Sequence, residues 1–259
     1  MPTRSERMRV AVFGLGEAGS LIAADLAMAG ADVRGFDPAV VPAPPGVVLH
    51  DDPVAAVDAV ELVIAVTAAA DAPSAMSQAW DHIESSCVYA DLATASPQLK
   101  RDLSVMAAER AVPFVDVALM SPVPGRGLST PALASGTGAD AYASAINPLG
   151  GRVEVLEGGA GAAAARKLTR SVVTKGLAGL VSEAMAAARA AGDDEWAWSH
   201  IVSLFESTDE GFIERLIDGT EAHAQRRLAE METVLDYLSG LGVPSEMTAG
   251  TIEHLRRAT

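Results

Sequence analysis

The sequence at residues 8–37 reads MRVAVFGLGEAGSLIAADLAMAGADVRGFD. An apolar run ends at a glycine-rich turn, the turn leads into a helix-forming run, and a second short strand follows and ends in Asp37. This order of strand, turn, helix, strand and acid is the context that a GxGxxG motif requires to bind a dinucleotide. We therefore predict a βαβ unit of the Rossmann type at the start of the chain.

Each glycine of the turn has a physical role in holding a dinucleotide. Gly14 permits the tight turn out of the first strand, Gly16 lets the backbone approach the pyrophosphate, and Gly19 allows close packing of helix and strand. The pyrophosphate lies at the positive end of the helix. We assign the whole turn to the cofactor site: Gly14, Leu15, Gly16, Glu17, Ala18 and Gly19. The alternative is a glycine-rich turn that binds no ligand.

Asp37 indicates which dinucleotide is preferred. It lies 18 residues after Gly19, close to the position from which an acid accepts hydrogen bonds from the adenosine ribose hydroxyls. A carboxylate there repels the 2′-phosphate of NADP, and the following residues, Pro38 and Ala39, offer no cation. The sequence thus favours NAD as the cofactor. NADP stays an alternative because Arg34 is near in sequence.

The composition narrows the classes of partner. The chain has 259 residues and a formal net charge of −15, so it repels nucleic-acid phosphates and anionic membranes, and we expect neither as a partner. No apolar run reaches the ~18 residues of a membrane span. The single cysteine, Cys87, allows no internal disulfide, which agrees with a reducing, cytoplasmic location. The expected partner is a small-molecule substrate.

After the first βαβ unit, apolar strand patterns continue to alternate with helical patterns. The predicted elements are strands at 62–66, 87–91 and 113–118 and helices at 72–83 and 96–109. Such alternation is typical of an α/β fold with a doubly wound parallel sheet, in which ligands bind beyond the carboxyl ends of the strands. Val66, Thr67 and Thr94 fall at such ends, and we assign them to the cofactor site.

From Ala162 onward the pattern changes to helices, and the first of them runs to about residue 191. Its low charge predicts burial on most sides, and its length exceeds what a small domain needs, which favours a homodimer that buries it. Further helices are predicted at 196–205, 211–217, 220–238 and 245–257. We expect a Rossmann domain at 1–160 and an all-α C-terminal domain for substrate and dimerisation at 161–259.

The order of these motifs resembles the β-hydroxyacid dehydrogenase superfamily, which includes 3-hydroxyisobutyrate and 6-phosphogluconate dehydrogenases. Asp91–Pro97 resembles the superfamily's Asp-x-Ser-Thr-x-x-Pro segment, whose threonine, here Thr94, lies near the nicotinamide. Gly161–Leu168 resembles the head of the interdomain helix, where the catalytic lysine, here Lys167, is found. The resemblance covers most of the chain and implies the fold and the cofactor.

Two departures from the superfamily pattern fall at its substrate site. The superfamily has Ser-Gly-Gly where this chain has Met120, Ser121 and Pro122, and that serine helps to hold the substrate carboxylate. The asparagine that follows the lysine by four residues is Ser171 here. The Met120 segment and the run Thr174–Leu177 are similar to an uncharacterised 6-phosphogluconate-dehydrogenase-like subgroup. The resemblance therefore does not identify the substrate.

Lys167 is the predicted catalytic residue, mainly because of the resemblance. A lysine can carry the substrate proton when desolvation or a like charge, such as the neighbouring Arg166, lowers its pKa. Ser171 lies one helical turn further on the same face and is the second catalytic candidate. The alternative is a solvated lysine whose aliphatic stem covers the core.

Additional side chains are candidates for holding an anionic substrate. The predicted substrate-binding set comprises Met120, Ser121, Lys175, His223 and Arg226. Arginine can clamp a carboxylate or phosphate through two parallel hydrogen bonds. Arg226 also has the alternative of a helix salt bridge with Glu230, and Lys175 that of a salt bridge with a neighbouring acid. No metal-ligand spacing such as CxxC or HExxH occurs, so no metal is expected.

Together the patterns predict an NAD(P)-dependent oxidoreductase that interconverts an alcohol and a carbonyl on a small, acidic, hydroxy-acid-like substrate, with Lys167 as the proton carrier. An imine reductase is one alternative, although that related class tends to use another proton donor. The other is a catalytically silent dinucleotide-binding protein that acts through a partner, an alternative kept open by Met120 and Ser171.

Overall fold

The structure, a computed structural model, describes residues 7–39 and 41–259. The first six residues of the predicted N-terminal domain lie outside this described part. The chain divides into two compact units, Met1–Thr169 and Arg170–Thr259, and the division falls within the long helix Ala162–Ala191. Within the described part, no helix combines the length and the apolar character that crossing a membrane requires.

A single sheet forms the centre of the first unit, and the described residues contribute eight strands to it. These strands are β1 (Arg9–Phe13), β2 (Asp32–Phe36), β3 (Val48–Leu49), β4 (Leu62–Ala65), β5 (Val88–Asp91), β6 (Phe114–Leu119), β7 (Pro131–Ser135) and β8 (Arg152–Val155). Their order is β3-β2-β1-β4-β5-β6-β7-β8, and all neighbours are parallel except the antiparallel pair β6 and β7. The predicted doubly wound parallel sheet is confirmed, except that the pairing of β6 with β7 is antiparallel.

Helices cover both faces of the sheet, which requires strands that are apolar on both sides. The helices of this unit are α1 (Glu17–Met28), α2 (Pro53–Val57), α3 (Ala72–Ser77), α4 (Pro97–Ala108) and α5 (Ala139–Ile146). Side chains of α1 and α5 pack with Val10 and Val12 on one face, while those of α2, α3 and α4 pack with Ala11 and Phe13 on the other. The alternation within β1 therefore supplies both cores.

Two helix starts follow the capping signals in the sequence. Asp52 accepts a hydrogen bond from the Val54 N–H at 3.1 Å at the start of α2, and Ser96 accepts one from the Leu99 N–H at 3.1 Å at the start of α4. Both caps are followed by a proline at the first helical position, where its missing N–H costs nothing.

The second unit is helical, as predicted. It contains most of α6 (Ala162–Ala191) together with α7 (Asp194–Glu206), α8 (Glu210–Ala222), α9 (Ala224–Leu241) and α10 (Glu246–Ala258). Glu183 of α6 accepts hydrogen bonds from the backbone N–H groups of Met247 and Thr248, at 2.8 and 2.9 Å. Because these N–H groups belong to the first turn of α10, Glu183 caps that helix and fixes it against α6.

Two helix predictions were wrong in detail, and one helix was missed. The predicted helix 72–83 is α3 followed by a 3₁₀ turn at Trp80–His82, which tightens the chain so that Ile83 enters the core. Helix α5 was not predicted, because it is short and rich in small residues. The break between α8 and α9 falls at His223, and Thr220 lies within α8, where its hydroxyl donates to the Leu216 carbonyl.

The predicted burial of α6 on most sides was also wrong for the single chain. Its buried apolar residues are confined to the beginning, at Ala163 and Ala164 where it meets the sheet, and to the last turns, at Met185 and Ala187. Further along, Val172 and Val173 are 75% and 59% exposed. The apolar composition of α6 is therefore not explained by packing within one chain.

Candidate functional site

The glycine turn between β1 and α1 is shaped by two glycines that no other residue can replace without strain. Gly14 has a φ of +84°, and a Cβ atom there would collide with the Val66 carbonyl. A Cβ atom at Gly19 would collide with the Gly14 carbonyl. The protein's own packing therefore requires both glycines.

Gly16 differs from these two glycines because nothing in the protein requires it. A Cβ atom at Gly16 would meet no atom within 4 Å, and its φ of −64° suits any residue. Gly16 is the N-cap of α1, and no side chain of the described residues caps this helix. Its first N–H groups and its positive dipole end are thus available for an anion, which is the arrangement that binds a pyrophosphate.

A groove of about 320 Å³ runs along this turn at the carboxyl edge of the sheet. Gly14, Gly16, Asp37, Val66 and Thr67 all line it, so the structure brings these predicted cofactor residues together. The Thr67 Oγ1 atom is buried and has no hydrogen-bond partner among the described residues. A buried hydroxyl normally has a partner, so this atom fits a polar group of a ligand in the groove.

Asp37 is held firmly at the end of β2. Its Oδ2 accepts a hydrogen bond from the Leu15 N–H at 2.7 Å, and its Oδ1 accepts one from the Ala39 N–H at 2.8 Å. Asp37 also lines a second cavity of about 340 Å³, which it shares with His50 and Asp51. The carboxylate therefore stands between the glycine turn and the place expected for the adenosine ribose.

Arg34 is engaged elsewhere. Its guanidinium donates to the backbone carbonyls of Asp58, at 2.6 Å, and Ala55, at 3.3 Å, at the end of α2. Neither cavity that Asp37 lines has a lysine or arginine among its lining residues in the described chain. The structure therefore offers no described cation for a 2′-phosphate beside Asp37.

Lys167 and Thr94, which the sequence assigned to catalysis and to the cofactor, are in contact. Lys167 lies in the second turn of α6, and its Nζ donates a hydrogen bond to Thr94 Oγ1 at 2.9 Å. Thr94 follows the carboxyl end of β5, on the edge of the sheet that carries the glycine turn. Both residues line a small cavity of about 10 Å³ together with Asp116.

A buried ionic cluster next to this contact was not predicted from the sequence. The side chain of Lys100, on α4, is 1% exposed, and its Nζ lies 2.8 Å from Asp91 Oδ2 and 3.5 Å from Asp116 Oδ1. It also donates to the Asp91 carbonyl at 2.7 Å. Two signals could have found it: Asp116 interrupts an apolar strand, and Lys100 shares the buried face of α4 with Leu103 and Ala107.

Asp116 connects this cluster to α6. Its Oδ2 accepts hydrogen bonds from the N–H groups of Gly161 and Ala164, both at 3.0 Å. The Ser135 hydroxyl donates to the same oxygen at 3.3 Å and accepts a bond from the Ala163 N–H at 3.1 Å. Residues of the sheet therefore cap α6, the helix that carries Lys167. The helix cannot cap itself, because it follows Gly161 and begins with alanines, which have no polar side chain.

The predicted loop residues lie beside the start of α6 rather than in the Lys167 cavity. Met120 packs near Ala163 and lines a separate groove of about 590 Å³ with Leu133. Ser121, the next residue, is half-buried. The loop is anchored to the dinucleotide helix, because Asp25 of α1 accepts a hydrogen bond from the Leu128 N–H at 2.8 Å.

The remaining predicted residues belong to the second unit. Ser171 is half-buried, whereas Lys175 and His223 are exposed. Arg226 forms an exposed ion pair with Glu230 at 3.5 Å, the helix salt bridge that the sequence offered as the alternative. Within the described part of the chain, no hydrogen bond or ion pair joins the side chains of Lys175, His223 and Arg226 to one another.

Cys87 is a core residue. It is 1% exposed, and burial raises the pKa of its thiol to about 12. The thiolate is therefore not populated at neutral pH, and nucleophilic chemistry at this position is not supported.

Comparison with known families identifies the first part of the chain. Residues 9–142, more than half of the chain, match the model of the NAD binding domain of 6-phosphogluconate dehydrogenase. The chain belongs to this family. Residues 188–258 match a domain of unknown function, DUF1932. No curated protein gave a significant match. The matches confirm the superfamily resemblance and the NAD-binding domain.

Solved structures share the fold over nearly the whole chain. The conserved protein MTH1747, of unknown function and described as similar to 3-hydroxyacid dehydrogenases, is 28% identical over 97% of this chain and 96% of that one, with a TM-score of 0.62. An imine reductase from Streptomyces aurantiacus is 22% identical, and the match covers 96% of this chain and 94% of the reductase, with a TM-score of 0.84. A variant imine reductase from Myxococcus stipitatus in complex with NAD⁺ is 18% identical, and the match covers 97% of this chain and 93% of the reductase, with a TM-score of 0.82.

Gly14 and Gly16 make a matched pair for testing the groove. We expect Gly16→Ala to melt at the temperature of the unmodified protein, since its Cβ meets open space, but to bind NADH at least about tenfold more weakly because the methyl blocks the pyrophosphate. Gly14→Ala should instead lose about 1–3 kcal/mol of stability. Thermal melts and NADH titrations check both; full NADH affinity in Gly16→Ala would contradict the assignment of the groove.

Proposed function

We propose that the protein is an NAD-dependent oxidoreductase that interconverts an alcohol and a carbonyl on a small hydroxy-acid-like substrate. The observation that carries the proposal is the 2.9 Å contact between Lys167 Nζ and Thr94 Oγ1 at the carboxyl edge of an NAD-binding sheet. An amine fixed at this edge lies where a proton carrier is needed for hydride-transfer chemistry.

The groove fits a nicotinamide dinucleotide in three respects. Gly16 leaves room for a pyrophosphate at the start of α1, Thr67 Oγ1 offers an unused hydroxyl, and Asp37 is oriented by backbone N–H groups. We propose that the predicted set binds the cofactor: Gly14, Leu15, Gly16, Glu17, Ala18, Gly19, Asp37, Val66, Thr67 and Thr94. When bound, the cofactor accepts or supplies the hydride.

The residues of this chain carry out the proton transfer of the proposed reaction. In oxidation, a neutral Lys167 takes the hydroxyl proton of the substrate at Nζ, and in reduction the ammonium returns it to the carbonyl oxygen. Thr94 orients the amine, since its Oγ1 accepts a hydrogen bond from Nζ. We propose Ser171, one turn further along α6, as a second contact to the substrate.

The charge around Asp37 supports NAD over NADP. Asp37 and Asp51 line the same cavity, so a 2′-phosphate there would meet two carboxylates. Arg34, the cation nearest in sequence, is bound to backbone carbonyls at the end of α2. NADP as the cofactor would therefore require Arg34 to leave these carbonyls.

Substrate binding is proposed for residues of the loop and of the helical region. Met120 and Ser121 would shape the pocket, and Lys175, His223 and Arg226 are the cations available for an anionic group. We propose that the helical region from residue 161 supplies this substrate side, while residues 1–160 bind the dinucleotide. An imine substrate is the alternative, supported by the shared fold with imine reductases.

Replacing Lys167 tests the proposed chemistry. We expect Lys167→Met to reduce turnover by about 10²–10⁴-fold, the usual contribution of a positioned proton carrier, and to leave the NADH dissociation constant unchanged. Turnover is measured as the change in NADH absorbance with a panel of keto acids, hydroxy acids, aldehydes and a cyclic imine.

Arg110→Met is the matched control, because it removes a surface cation whose ion pair with Asp81 is exposed. It should keep full turnover. Unchanged turnover in Lys167→Met would eliminate the proposed role of the lysine, and reduction of the imine alone would favour the alternative substrate class.

We also propose a homodimer formed by the second unit. Large apolar side chains are exposed on its helices: Val172, Val173, Trp196, Trp198, Ile213 and Ile217. Single exposed apolar residues are common, but three consecutive helices, α6, α7 and α8, each expose large apolar side chains, which supports an interface. A second copy of the chain suits this surface because a two-fold axis would pair like with like.

The mass of the protein in solution tests the proposed homodimer. Light scattering at micromolar concentration should give about twice the mass of one 26.6 kDa chain. The double variant Trp196→Glu/Trp198→Glu should shift the mass toward one chain, since charges would enter the interface. A single-chain mass for the unmodified protein would contradict the proposal.

A further inference from the structure

The buried cluster around Lys100 joins the two segments that bring Lys167 and Thr94 together. Asp91 ends β5 and begins the segment that carries Thr94, and its Oδ1 accepts a hydrogen bond from the Ala93 N–H at 3.2 Å. Asp116 holds the first turn of the helix that carries Lys167. The Lys100 ammonium lies between the two carboxylates and is in contact with both.

The charges of this cluster do not cancel. One ammonium faces two carboxylates, and all three side chains are at most 1% exposed. The excess negative charge lies toward Asp116, whose distance from Lys100 is the longer one, and it is partly balanced by the N-terminal dipole of α6.

Asp116 faces the same small cavity as Lys167 and Thr94. A carboxylate at this place favours the charged form of a nearby amine, whereas its counter-ion weakens that effect. The other charged groups near the start of α6 include Arg101 of α4, whose guanidinium approaches Gly161, and Arg166 and Arg170 of α6 itself. All three are cations, and a cation opposes protonation of an amine that it approaches.

We propose that Asp116, with Lys100 as its buried counter-ion, is a positioning residue that fixes the start of α6 and sets the charge state of Lys167. The inference rests on the proposed function of Lys167 as the proton carrier. It adds that the proton affinity of that amine is set from the sheet, by one carboxylate whose own charge is only partly neutralised.

The chain offers a direct readout, because its three lysines are Lys100, Lys167 and Lys175. Competitive acetylation with trace acetic anhydride, followed by mass spectrometry of the α6 peptides, gives the pH midpoint of Lys167 reactivity with the exposed Lys175 as internal reference. The readout needs no substrate, so it is independent of turnover.

Two variants should move the Lys167 midpoint in opposite directions. Asp116→Asn keeps an oxygen for the helix N–H groups but removes the charge, and the midpoint should fall by about one pH unit. Lys100→Met/Asp91→Asn removes one buried charge of each sign and leaves Asp116 without its counter-ion, so the midpoint should rise. General loosening of the fold would move Lys167 and Lys175 alike.

Arg110→Met is again the control and should leave the midpoint in place. The inference is overturned if the folded variants leave the Lys167 midpoint within about 0.2 units of the unmodified protein or shift both variants in the same direction. If only one of the two variants folds, the inference stands or falls on whether the Lys167 midpoint of that variant shifts in its predicted direction. The proposed function is tested separately, by the turnover of Lys167→Met. If the midpoint of Lys167 shifts in the cluster variants but Lys167→Met keeps full turnover, Asp116 influences the charge of Lys167 and the lysine is not catalytic.

Discussion

The first turn of α6 depends on a carboxylate supplied from outside the helix. The helix begins after Gly161 with a run of alanines, none of which can cap it. Asp116 and Ser135, on neighbouring antiparallel strands of the sheet, accept the N–H groups instead. Because Lys167 lies within the next turn, this interaction decides where the candidate catalytic amine stands relative to Thr94 and the carboxyl edge of the sheet.

This arrangement needs buried charge, and buried charge is costly to desolvate. Lys100 offsets much of that cost by contacting both carboxylates, but removing one partner of such a group typically costs about 3–5 kcal/mol. A neutral capping residue on α6 itself would hold the helix more cheaply. Retaining an ionic cluster beside the Lys167 cavity is therefore better understood as a property of the site than as a device for stability alone.

Local signals carried most of what the sequence predicted correctly. Gly14, Gly19 and the caps Asp52 and Ser96 are determined by backbone conformation or by hydrogen bonds within three residues, so their patterns are visible in a single sequence. Asp37 is a candidate for the ribose contact because the βαβ spacing is nearly constant. The contact between Lys167 and Thr94 joins residues 73 positions apart; the family resemblance proposed a role for each residue but did not predict the contact.

The features that the sequence did not predict depend on tertiary contacts. Lys100 shares the buried face of α4 with Leu103 and Ala107, but the carboxylates that contact it come from β5 and β6, so the ionic cluster as a whole has no local signal. The exposure of Val172 and Val173 likewise contradicts a burial pattern that a single chain does not satisfy. In both cases the burial of a side chain depends on which other elements pack against it, and the composition of one helix does not determine those elements.

The central claim is that the groove at Gly14–Gly19 binds NAD with Asp37 reading the adenosine ribose. Calorimetric titration of the unmodified protein with NADH and with NADPH tests it most directly, with Asp37→Asn as the matched variant. The account predicts saturable NADH binding that is at least about tenfold tighter than NADPH binding, and a smaller difference in the variant. Tighter NADPH binding, or no binding of either dinucleotide, would contradict it.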